Sequence, residues 1–140
     1  MNTEQQLQLA TPTQSARLRK LGFDWECEYH YDEGACGTEF PKLTTTIPAT
    51  RRKYYSPAPT TAHALMWCDA EKGIKNGLLP KGIAGKTAYC WWYAIENELT
   101  SEFVTTSGAT FERGIIERIL LDKVLGVLES TQQTKRRKTN

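Results

Sequence analysis

The stretch FDWECEYHYDEGACG (residues 23–37) gathers the side chains with the widest chemical reach. Cys27-x-x-His30, with Cys36 close behind, combines a thiol and an imidazole, donor types that zinc prefers. Glu26, Glu28, Asp32 and Glu33 add clustered carboxylates of the kind used in hydrolases and Mg²⁺ sites. The backbone beneath these residues decides between chemistry and architecture. Trp25, Cys27, Tyr29 and Tyr31 alternate with Asp24, Glu26, Glu28 and His30, the period of a strand with one buried and one wet face. Residues three apart on a strand point to opposite faces, so Cys27 and His30 are expected to diverge and share no metal ion. Glu26 and Glu28 then read as a polar outer face, and neither a metal nor a cofactor is expected.

Elsewhere reactive groups are sparse. Cys68 and Cys90 have no tight spacing to the other cysteines and are expected to be free thiols. His63 falls beside, rather than on, the apolar face of its helix, where a structural role is the simpler reading. Gly73, Gly77, Gly82 and Gly85 match neither a P-loop nor a dinucleotide fingerprint. No nucleophile–base–acid set is encoded locally, and catalysis is not expected.

The elements that must position these groups follow from length and pattern. With 140 residues and 39% hydrophobic content, the chain suits one domain with its own core. No apolar run approaches the roughly 20 residues that span a bilayer, and the amino terminus lacks signal-peptide character; a soluble cytoplasmic protein is expected. The net charge is +2, but Lys135, Arg136, Arg137 and Lys138 carry four positive charges, leaving the remainder at −2. A mildly acidic body argues against a surface built for nucleic acid.

A polar tail is expected over residues 1–10, a single domain over 11–129, and a flexible basic tail over 130–140. Thr11-Pro12 opens a short helix ending at Gly22, with Leu18 and Leu21 inward. Residues 32–56 form a Gly-, Pro- and Thr-rich excursion in which TTTI (44–47) has strand character. A second helix follows Pro57 and Pro59 and ends at Lys72-Gly73, with Ala62, Leu65 and Met66 facing the core. Residues 75–86, rich in glycine, read as a flexible connection. TAYCWWYAIENE (87–98) is apolar on both faces and suits a covered central strand, turning at 98–101 into a strand over 102–106. From Thr110 an amphipathic helix places residues 111, 115, 116, 119, 120, 124, 127 and 128 on one stripe, so Ile119→Asp is expected to unfold the domain. The fold class expected is α+β: a small antiparallel sheet packed against two main helices, with a short N-terminal helix.

LRKLGFDWECEYHY (18–31), SPAPTTAHALMWCDAEKGI (56–74), a Tyr/Trp-rich strand and TSGATFERGIIERIL (106–120) occur in an order that resembles a group of small α+β proteins. These are encoded by phages, prophages and mobile elements of gut bacteria and have no established activity. The chain departs from them at Met66-Trp67-Cys68-Asp69, where the group carries Lys-Trp-Leu-Arg. It departs again after Lys72-Gly73-Ile74, where the group has a strand and this chain a glycine-rich run. The resemblance implies fold and genomic setting and carries over no site residues.

Two kinds of binding remain. Tyr89, Trp91 and Tyr93, if uncovered, make a hot-spot patch for a protein partner, and this is the expected function: a non-enzymatic accessory protein that binds a host or phage protein. Alternatively the same aromatics stack on bases. Phosphates are then held by Arg51, Arg52 and Lys53 beside Tyr54 and Tyr55, and by Lys135, Arg136, Arg137 and Lys138.

Overall fold

In a computed structural model, residues 8–32, 42–47, 52, 54–83, 86–105 and 112–138 are described. Helix α1 (Pro12–Lys20) begins where its sequence requires: Thr11 caps it, its hydroxyl accepting from the Gln14 N–H while the Gln14 amide accepts from the Thr11 N–H. It ends at Leu21, after which Gly22 adopts φ 93°, a left-handed turn that favours glycine. Leu9 and Ala10 are already buried, and the Ala10 N–H donates to Pro59. Anchorage of the chain therefore begins before residue 11, inside the stretch expected to be a loose tail.

Three short strands, β1 (His30–Asp32), β2 (Lys42–Thr44) and β3 (Tyr55–Pro57), form an antiparallel sheet in the order β2-β1-β3. Burial does alternate from Asp24 to Glu28, but the backbone there joins no ladder and bends at Trp25 and Glu28. The expected strand is thus confined to its last residues. Among the described residues no strand pairs with residues 24–29 to hold them straight, so the chain is free to turn.

Helix α2 (Thr61–Lys72) is capped by Thr60 and closes on Gly73 at φ 73°. Its buried face is Thr61, Ala64, Leu65, Trp67 and Cys68. This corrects the expected face: Met66 is 62% exposed and Ala62 is exposed too, because the large Trp67 indole rotates the helix toward the core. The segment expected to be a flexible connection is strand β4 (Lys75–Ile83), which pairs along its whole length with β5 (Lys86–Ile95). Glycines here permit close approach: a Cβ on Gly77 would come within 2.5 Å of the Trp92 indole, which lies across it. A strand after Lys-Gly-Ile, expected from the resemblance and questioned by the glycines, is present. Strand β6 (Glu98–Thr105) returns through a two-residue turn in which Glu96 has φ 55°, giving the order β4-β5-β6. The hairpin is as expected, but its turn lies at 96–97 instead of 98–101.

Helix α3 (Glu112–Lys138) crosses the inner face of this sheet and packs against α1 and α2. Ile116, Leu120, Leu121, Val124, Leu125 and Leu128 are its buried stripe. Leu121 and Leu125 replace Ile115 and Ile119 of the expected stripe; Ile115 is exposed and Ile119 half-buried. Helical backbone continues to Lys138, so the basic run closes α3 where a flexible tail was expected. Nothing between Glu129 and Lys138 breaks a helix, and Lys and Arg suit its negative end. Among the described residues, three helices and two three-stranded antiparallel sheets make an α+β fold. Arg17 locks α1 to α3 by ion pairs to Asp122 (3.1 Å) and Glu129, and Gln14 donates to the Arg118 carbonyl and Asp122.

Candidate functional site

Two places merit a functional reading: the Cys27 cleft and the β4–β5–β6 sheet. The bend at Glu28 brings Cys27 Sγ within 3.7 Å of His30 Nε2. This overturns the divergence expected of a straight strand. The thiol also lies 3.3 Å from the Tyr29 carbonyl, to which it donates; that carbonyl accepts from the Ala58 N–H as well. A cavity of about 240 Å³ opens beside Cys27, bounded by Glu26, Tyr29, Pro59, Thr60 and His63. His63 is held edge-on between Phe23 (6.2 Å between ring centres) and Trp25 (5.1 Å). His30 Nδ1 and His63 Nε2 are buried and lack a hydrogen-bond partner among the described residues.

Charge decides what this cleft can do. Burial raises the Cys27 thiol pKa, partly offset by the Ala58 N–H, and burial lowers that of the His30 imidazole. Both shifts favour the neutral forms, the opposite of a thiolate–imidazolium pair. Among the described residues, no group of three His, Cys, Asp or Glu side chains could hold a metal ion. The contact at 3.7 Å is thus between a thiol and an imidazole that are each shifted toward the neutral form. Cys36 lies outside the described residues.

The sheet offers more. Paired residues of antiparallel strands share a face. Leu78, Tyr89, Trp91, Tyr93 and Val104 face inward onto α2 and α3 and join the main core. This corrects the expected hot-spot patch: Trp91 is 3% exposed and stacks parallel with Tyr93 at 6.1 Å, while Tyr89 and Tyr93 are half-buried against the core. The outward positions are their neighbours. Leu79, Cys90 and Phe103 form one cross-strand row, Gly77, Trp92 and Ser101 the next, and Lys75, Ala94 and Leu99 the third. Leu79 is 51%, Phe103 56% and Leu99 67% exposed. Sequence reading missed this surface for two reasons: it took residues 75–86 for a loop and started β6 four residues late. The available signal was Cys90, Trp92 and Ala94 alternating with the inward aromatics.

The basic–aromatic cluster is described only in part. Tyr55 is buried in β3, whereas Arg52 and Tyr54 are exposed; Arg51 and Lys53 lie outside the described residues. Lys135, Arg136, Arg137 and Lys138 are placed only as backbone in the last turns of α3. Among the described residues no helix is long and apolar enough to cross a membrane.

Comparison with protein-family models, with curated proteins and with solved structures gives no match. The functional reading therefore rests on the geometry of the chain itself.

Proposed function

We propose that this chain is a non-enzymatic interaction protein that binds another protein through the outer face of the β4–β5–β6 sheet. The observation that carries the reading is the set Leu79, Leu99 and Phe103, each more than half exposed and brought to one face beside Trp92 by the pairing register. Large apolar side chains grouped on one surface mark interaction sites, and aromatic residues dominate binding energy there. The neutral state of the Cys27–His30 pair supports a packing role for the cleft and adds nothing to a catalytic reading. The resemblance noted above suggests a phage or mobile-element setting, with a host or phage protein in the cytoplasm as partner. Nucleic-acid binding has weaker support, since Trp91 and Tyr55 are buried.

The test compares baits. Proteins captured by the wild-type chain and lost with Leu79→Lys and Phe103→Lys, but kept with Lys123→Ala on the exposed side of α3, are candidates for binary titration with purified components. Equal capture by all four baits counts against the outer face. Salt-sensitive affinity for single-stranded DNA would favour the alternative.

A further inference from the structure

The case against a metal at Cys27-x-x-His30 rested on a straight strand, and the bend at Glu28 removes it. Cys27 Sγ and His30 Nε2 lie 3.7 Å apart. An ion about 2.3 Å from the sulfur and about 2.0 Å from the nitrogen bridges that gap with an S–metal–N angle of about 120°. The pair therefore needs no change of separation to hold one ion.

Ligand number and charge choose the ion. Zinc takes three or four protein ligands, and among the described residues no three His, Cys, Asp or Glu side chains come together. A soft thiolate with an imidazole suits Cu(I) instead. Charge agrees. The thiol releases its proton to solvent as the ion binds, so thiolate and a monovalent ion sum to zero. A divalent ion would leave a net positive charge between two half-buried side chains. Burial also holds the His30 imidazole toward its neutral form, the form that coordinates. When the thiol proton leaves, the Tyr29 carbonyl keeps the Ala58 N–H, so no acceptor is orphaned.

The surroundings supply a route and a further donor. Cys27 is in the wall of the 240 Å³ cavity, whose edge carries the exposed carboxylates of Glu26 and Glu28, groups that attract cations. His63 borders the same cavity, and its Nε2 is buried without a hydrogen-bond partner among the described residues. A buried unpaired nitrogen there is the donor available to a third coordination position.

We infer that Cys27 and His30 form a binding site for one soft monovalent metal ion, Cu(I), entered through the cavity beside them. The site is remote in sequence from the outer sheet face and stands or falls separately from the partner-binding reading.

Anaerobic titration of the reduced protein with Cu(I), against a chromophoric chelator that competes for it, tests this. Wild type, Cys36→Ser and Cys90→Ala should each bind one Cu(I) per chain with equal affinity. Cys27→Ala should lose the site. His30→Gln should weaken it by at least about tenfold while keeping the wild-type circular dichroism spectrum. X-ray absorption at the copper edge should show sulfur and nitrogen neighbours in wild type and fewer nitrogens in His30→Gln. Undiminished binding by Cys27→Ala or His30→Gln overturns the inference, as does loss of binding in Cys36→Ser. A sulfur-only copper shell in wild type overturns it as well, and that readout needs no variant to fold. Zn²⁺ held as tightly as Cu(I) would contradict the choice of ion. Partner capture through the outer face should be the same for Cys27→Ala as for wild type.

Discussion

Trp91 and Trp92 are adjacent on β5 and meet opposite environments. Trp91 is 3% exposed among Tyr93, Leu78 and the helices, while Trp92 lies half-buried across Gly77 on the outer side. The inner face belongs to a continuous core that includes Leu18, Trp67, Leu120, Leu121 and Leu125. Among the described residues no helix covers Leu79, Leu99 and Phe103 on the outer face, and each is more than half exposed. The same strand thus stabilises the fold with one set of aromatics and presents a surface with the other. Separating the two roles by side means that outer residues can change without cost to the core, which is what a binding face requires.

Substitutions that probe each side should differ in size. Leu121→Asp, which buries a carboxylate where the native residue is fully enclosed, is expected to abolish cooperative unfolding altogether, as read by thermal melts. Ile119→Asp, at a half-buried position, should be milder. Trp91→Ala should cost about 3–5 kcal/mol in urea denaturation, the range for emptying a large aromatic site in a core. Trp92→Ala should cost about 1 kcal/mol, because only half of its surface is covered and the backbone at Gly77 needs no support from it. If the two tryptophan variants unfold at the same urea concentration, the two-sided account fails. Leu79→Lys and Phe103→Lys should change stability by no more than about 0.5 kcal/mol while removing partner capture.

Buried titratable groups act only away from neutral pH, and their signs are opposite in pH. Burial pushes the Cys68 thiol up to about 12 from an ordinary 9.0. An unfolded chain loses that proton first, so stability should decline as pH rises from 9 toward 12, and less so in Cys68→Ala measured against its own neutral-pH value. His30 is shifted the other way, below its ordinary 6.5, so the unfolded chain gains a proton first on acidification. Stability should therefore decline as pH falls below 6.5, and His30→Gln should flatten that decline.

How much of this was legible in the sequence depends on what each pattern encodes. The start of α1 and the ends of α1 and α2 were readable because their chemistry is local: Thr11 with Pro12, Gly22 and Gly73 act within one turn. Alternation was readable as to side but not as to partner. Residues 24–29 and 88–95 carry the same period, yet among the described residues only the second has strands on both flanks to keep it extended. The first bends at Glu28, and Cys27 and His30 meet as a result. Glycines in 75–86 masked β4, since their role is to admit the Trp92 indole, a long-range fact. The outer apolar face emerged only from the register of three strands, which places residues far apart in the chain into one row.

Hydroxyl-radical footprinting of the native protein, read by mass spectrometry, tests the two-sided sheet most directly. Leu79, Leu99, Phe103 and Trp92 should be oxidised readily, while Trp91 and Leu78 stay protected until the chain unfolds. Oxidation of Trp91 as fast as Phe103 in the folded protein, or protection of Phe103 and Leu99 under the same conditions, would contradict the account.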